Sequence, residues 1–190
     1  MCMHSLGERL EAIKDKMKTD KFINGRGLGN EISFYIFEYN PKNEMYVREQ
    51  IEYIIKDFNR VPSNEKIIEF DLYKMLIDFL KEEEDFEAII RMEEKEGKEY
   101  TLETITTVVT SEMYAERIEK MSKEYGILFI TGVGKVYPYL RAHNILNTLQ
   151  QNLNKNKKLI MFYPGIYSGQ DLKLFDRFED ENYYRAFQLI

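Results

Sequence analysis

Thr131-Gly132-Val133-Gly134-Lys135 combines the residue types that hold phosphate: two glycines, a hydroxyl and a cation. The segment follows an apolar run, Ile127 to Ile130, and precedes helical spacing. Backbone amides at such a junction, together with a helix dipole, favour an anion. The spacing argues the other way. A phosphate loop reads G-x-x-x-x-G-K-[ST], and here Val136 follows Lys135 and brings no hydroxyl for Mg²⁺. The G-x-G-x-x-G fingerprint fails too, because Tyr137 stands three residues after Gly134. Three readings remain open. The loop binds a nucleotide, or it is a sharp turn after which Pro138 opens a helix. In the third it docks a protein partner through Tyr137, Tyr139 and Arg141.

Other chemistry has thinner support. Glu38, Glu69 and Asp71 fall at the ends of the first two apolar runs. Paired carboxylates at strand ends can hold Mg²⁺ in nucleases. No repeated acidic pattern or neighbouring lysine accompanies them, so solvated rim carboxylates are the better reading. His4 and His143 are the two histidines and Cys2 the single cysteine. A zinc site or a histidine-dependent triad needs more than these supply. His143 follows Arg141 on one helix and reads as a packing or hydrogen-bonding residue. The glycine-rich stretch 25–30 precedes a strand rather than a helix, so its role reads as conformational, with Arg26 exposed.

A second loop, Pro164-Gly165-Ile166-Tyr167-Ser168-Gly169, is followed by Arg177, Asp180, Asn182, Tyr183, Tyr184 and Arg185. Tyrosine and arginine dominate protein-interface hot spots. The plainer reading is partial burial with the phenol tips in water. The candidate partner-binding set is Gly132, Gly134, Lys135, Tyr137, Arg141, Tyr167, Arg177, Tyr183 and Arg185. No catalytic, cofactor-binding or metal-binding residue is assigned.

These loops need a frame to hold them. β-branched and aromatic runs predict strands over 32–39, 66–72, 127–131, 158–163 and about 183–189. Helical spacing connects them. Ser5 and Glu8 form a capping box ahead of Leu6, Leu10, Ile13 and Met17. Asn40-Pro41 suits a helix start, and Val47, Ile51, Ile54, Ile55 and Phe58 make a stripe that Pro62 ends. Leu72, Met75, Leu76, Phe79 and Leu80 carry the next helix. The acidic run 82–85 reads as a solvated junction before a more charged helix. Residues 100–109 are ambiguous because threonines and valines lower helix propensity. Ser111 suits the cap of a helix with Tyr114, Ile118, Met121 and Tyr125 on one face and Gly126 as its C-cap. Ala142, Leu146, Leu149 and Leu153 are in phase, and residues 170–175 read as a short helical segment.

Strands alternating with helices imply parallel βαβ units. The expectation is an α/β domain over residues 1–190. Its open, mostly parallel sheet has about five strands, helices on both faces and a helical insertion over about 73–125. That layout is similar to nucleotide hydrolases, but layout does not confer function.

Composition sets further bounds. The 190 residues are 44% hydrophobic and 14% aromatic, enough for a substantial core in one domain. The net charge of -6 and a pI near 5.2 argue against non-specific duplex binding. The short basic cluster Lys155, Lys157 and Lys158 reads as a solvated strand entry. The single cysteine suits a reducing compartment. No apolar stretch approaches the roughly 20 residues of a membrane span. A cytoplasmic, soluble protein is expected.

Several long motifs also carry a resemblance. TGVGKVYPYLRAHNIL, FYPGIYSGQDLKLFDRF and DENYYRAF, with GLGNEISFYIFEYNP at 27–41, resemble the BrxB family, a core component of BREX phage-defence systems. The resemblance runs from about residue 6 to the end. It implies a place in a multi-protein defence machine, and it supplies no catalytic residues. The partners it implies are the PglZ alkaline-phosphatase-like protein and the BrxC ATPase. DNA and a methyltransferase are more remote.

Overall fold

A computed structural model describes residues 5–24, 33–61, 65–82, 86–180 and 186–190. Cys2, His4, the 25–30 loop with Arg26, Pro62, the acidic residues 83–85 and the candidates Tyr183 and Arg185 lie outside the described residues, as do Asn182 and Tyr184.

The frame is a parallel sheet with strand order β2 (Ile67–Asp71), β3 (Ile127–Thr131), β4 (Lys158–Tyr167), β1 (Ser33–Tyr39) and β7 (Ala186–Gln188). All five sequence-predicted strands are present. The inner strands are buried on both faces, which is why they read as unbroken apolar runs. Side chains alternate between two cores. Phe34 and Ile36 join Leu128, Ile130, Leu159 and Met161 on one face. Tyr35 and Phe37 join Ile127, Phe129, Ile160 and Phe162 on the other.

Topology decides which helix covers which face. The path from β1 to β2 crosses two strands in one direction, and β2 to β3 to β4 returns in the other. Right-handed crossovers then place the connecting helices on opposite faces. Accordingly α3 (Glu44–Arg60), with α1 (Leu6–Met17) and α2 (Asp20–Asn24), packs on the Phe37 face. The other face takes the helices between β2 and β3, namely α4 (Leu72–Glu82), α5 (Phe86–Glu96), α6 (Lys98–Val108) and α7 (Ser111–Met121). It also takes α8 (Val133–Val136) and α9 (Ala142–Asn152). The stretch between β2 and β3 is thus all-helical where it is described.

Local expectations fare unevenly. The Ser5–Glu8 capping box is formed, with Glu8 Oε2 accepting from the Ser5 amide at 2.6 Å. Asn40 caps a 3-10 turn over Pro41–Asn43 that leads into α3. The ambiguous threonine stretch is helix α6. Its hydroxyls bond carbonyls four residues back, as Thr101 to Gly97 at 3.0 Å and Thr107 to Glu103 at 2.8 Å.

Four expectations need correction. Residues 170–175 are not helical: Leu172–Leu174 is strand β5, with both leucines buried and Lys173 turned outward. It pairs antiparallel with the end of β4 and with β6 (Phe178–Asp180). The 164–167 stretch is therefore the continuation of β4, and the turn comes only after Tyr167. Thr110, not Ser111, occupies the N-cap of α7, and the helix ends at Met121, four residues before Tyr125. Met121 is exposed, and Gly126 instead lets Glu65 approach. Finally, the lysine cluster is a solvated entry only at Lys155, which is exposed. Lys157 Nζ donates to the carbonyls of Ser122, Lys123 and Tyr125, closing the end of α7, and Lys158 is buried beside Glu65 at 3.5 Å. Burial lowers the Lys157 pKa, and the charge of Glu65 opposes that shift.

Candidate functional site: an edge of two glycine-bearing segments

The two glycine-bearing segments do meet. β3 and β4 are neighbours and both deliver their ends to the same edge of the sheet. At Gly132 the backbone is left-handed, φ 71°, and a Cβ there would lie 2.2 Å from Asp71 Oδ1. Glycine is therefore required both by conformation and by space. A Cβ on Gly134 would lie 2.7 Å from the Phe175 ring and 3.0 Å from Pro164. So α8 is packed beneath the β4–β5 extension.

This packing determines what the 132–135 loop can do. Lys135 Nζ forms an ion pair with Asp71 Oδ2, whose side chain is only 9% exposed. Asp71 Oδ1 accepts from the amides of Tyr73 at 3.0 Å and Lys74 at 3.2 Å, so the same carboxylate starts α4. The lysine that a phosphate would need is thus held by a carboxylate from β2. Sequence reading missed this pair, since Asp71 and Lys135 are 64 residues apart. Nearby phenols are perturbed: burial, and then the Asp71 charge, raise the Tyr114 pKa, and burial raises that of Tyr139.

Of the strand-end carboxylates, Glu69 and Asp71 line one hollow beside β2, and Glu38 is remote from both. Glu69 Oε1 accepts from the Thr131 hydroxyl at 2.6 Å. Glu38 lies on β1, three strand positions from β2, or about 14 Å away. A two-metal site needs ions roughly 4 Å apart. Glu38 instead accepts from the Tyr167 amide at 3.1 Å and from Gln188 Nε2 at 2.8 Å, tying β4 and β7 to β1. No cluster of three or more His, Cys, Asp or Glu side chains with metal-binding geometry occurs among the described residues. His143 is half-buried on α9.

The candidate docking residues separate by burial. Tyr167 is 4% exposed, and its hydroxyl donates to the Ala186 carbonyl at 2.7 Å, so it sits beneath the surface and anchors β7. Tyr137 and Tyr139 are half-buried against the core rather than exposed. Arg141 and Arg177 are exposed. Tyr137, Arg141 and Arg177 together line one hollow of about 290 Å³, with Leu140, Phe178 and Glu179. Tyr137, in cis linkage to Pro138, stacks on Phe178 with centroids 5.0 Å apart. Phe178 is 46% exposed and was not singled out from sequence. It stands alone among Arg177, Glu179 and Asp180, with no apolar pattern to mark it. Arg141 occupies the N-cap of α9 with no side-chain cap bond, so the positive end of that helix faces the same region.

No helix among the described residues is long and apolar enough to cross a membrane. The family described as BREX protein BrxB matches residues 68–189. A protein named BREX protein BrxB from Bacillus cereus (strain H3081.97) is 41% identical over 99% of this chain and 99% of its own length. A second of that name, from Escherichia coli O9:H4 (strain HS), is 31% identical over 96% of this chain and 90% of its own. No solved structure gives a significant match. With these relatives aligned from end to end and the family matched over more than half its length, the chain belongs to the BrxB family of the BREX phage-defence system.

Proposed function

We propose that the chain is a non-catalytic assembly component of a BREX complex. It docks PglZ-like and BrxC-like partners through the edge formed by α8, the 137–141 turn and the β5–β6 hairpin. The observation that supports this most is the grouping of Tyr137, Arg141, Arg177 and Phe178 around one hollow beside exposed apolar surface. Aromatic and arginine side chains of this kind supply most of the energy in protein interfaces. Gly132, Gly134 and Lys135 serve that surface from below, by fixing α8 against Asp71 and Phe175. The reading as a nucleotide-binding loop draws no support from Lys135, which holds Asp71.

The test is a pull-down from cells expressing the complete system. Tyr137→Ala, Arg141→Ala and Phe178→Ala are compared with the wild type, with circular dichroism as the folding control. Each central anchor is expected to cost about 2 kcal/mol, roughly thirtyfold in affinity. If all three variants fold and retain every partner at wild-type strength, the docking surface lies elsewhere.

A further inference from the structure

The geometry points to a specific occupant for this edge: an acidic, extended peptide segment of the partner. Its carboxylates are held by Arg141 and Arg177, and an apolar side chain lies against Phe178. This rests on the docking reading and names the chemistry of what docks.

Charge is the first argument. The chain carries a net charge of -6, yet this surface gathers the cations Arg141, Arg177 and Lys42 around two carboxylates, Asp176 and Glu179. Among the described residues neither Arg141 nor Arg177 has a side-chain ion pair or hydrogen bond. Glu179, the carboxylate among the described residues lining the Arg141 hollow, is held by Lys173 at 2.7 Å, which lowers the Glu179 pKa. Among the described residues neither guanidinium fork is engaged by a carboxylate, although Asp176 lines the second hollow beside Arg177. A carboxylate matches such a fork with two parallel hydrogen bonds.

Shape is the second argument. Arg177 and Phe178 line two hollows at once. One is the 290 Å³ hollow with Arg141. The other, about 490 Å³, is lined by Asn40, Pro41, Lys42 and Asp176. Arg141 and Lys42 therefore line two separate hollows that meet at Arg177 and Phe178. A compact anion would occupy a single hollow. An extended chain with spaced carboxylates can use both.

The hairpin turn is the third argument. The hairpin turn before Arg177 holds two non-glycine residues in left-handed conformation, Phe175 at φ 54° and Asp176 at φ 59°. The Arg177 amide closes the turn on the Leu174 carbonyl at 3.0 Å. Such residues are uncommon, and a bulky one is a true outlier. Two consecutive left-handed residues are the geometry of a tight hairpin turn. That turn places Arg177 and Phe178 at the junction of the two hollows.

The experiment is selection of a random dodecapeptide display library on the full chain. Enriched peptides are then labelled with fluorescein and measured by anisotropy. The wild type is expected to enrich Asp- and Glu-bearing sequences with an apolar residue. Arg177→Ala is expected to weaken the selected peptide about tenfold, and binding should fall as salt rises. The double variant Arg141→Glu, Arg177→Glu should lose these peptides while keeping the wild-type circular dichroism. Enrichment without acidic bias, or unchanged binding by that double variant, would overturn the inference. So would displacement of the peptide by inorganic phosphate or ATP at concentrations below those of an unlabelled acidic peptide. The two readings fail separately. If the double variant still captures the partners while Tyr137→Ala and Phe178→Ala do not, the docking edge stands and the acidic segment does not.

Discussion

At the residue scale, the 132–135 loop is held by contacts that have nothing to do with a nucleotide. Gly132→Ala forces a Cβ toward Asp71 and a left-handed alanine, and should cost about 1–3 kcal/mol in urea unfolding. Lys135→Ala should also destabilise, by about 1 kcal/mol, because it leaves a nearly buried carboxylate without its cation. Asp71→Ala removes the same pair and the start of α4, so it should cost more than Lys135→Ala. The double mutant should cost less than the sum of the two, the signature of a direct contact. The corresponding chemical expectation is that the purified chain releases no phosphate from ATP or GTP. Steady-state release that disappears in a folded Lys135→Ala protein would contradict it. Tyr167 illustrates how residue type misleads. A tyrosine in a glycine-bearing segment reads as a surface handle, yet its ring is in the core and its hydroxyl holds β7. Tyr167→Phe should cost about 1 kcal/mol through that one hydrogen bond.

At the element scale, long signals were legible and short ones were not. β1, β3 and β4 are buried on both faces, so their apolar runs leave no competing interpretation. α3 announces itself by Val47, Ile51 and Ile54 at helical spacing. β5 has three residues, and a single Leu-Lys-Leu alternation cannot outvote a helical reading of its neighbours. The α6 threonines look strand-like until their hydroxyls are seen bonded to carbonyls of the preceding turn. For the site, sequence proximity supplied Tyr137, Arg141 and Arg177. Phe178 and the Asp71–Lys135 pair needed the fold, because they depend on which strands lie side by side. The hairpin offers its own test. Asp176 is exposed at φ 59°, and glycine tolerates that conformation at lower cost. Asp176→Gly should raise stability by about 0.5–1 kcal/mol, read as a higher unfolding midpoint.

At the scale of the whole molecule, the sheet edge is the proposed mounting for contacts with other proteins, and the charge distribution disfavours nucleic acid. The apparent basic cluster is spent on structure: Lys157 closes α7 and Lys158 is buried. Too few free cations remain there to release many counterions from a duplex. Random duplex DNA should therefore bind the isolated chain more weakly than 1 micromolar, as an order-of-magnitude bound, in fluorescence anisotropy at physiological salt. The central claim is that partners sit on the edge around Phe178. Its most direct measurement is photo-crosslinking in cells that express the complete defence system. Benzoylphenylalanine replaces Phe178 in one strain and Tyr100, exposed on α6, in another. The account expects the position 178 probe to form a covalent adduct with a protein of the same system, identified by mass spectrometry. Adducts from position 100 with none from position 178 would contradict it and move the docking surface to the helical insertion.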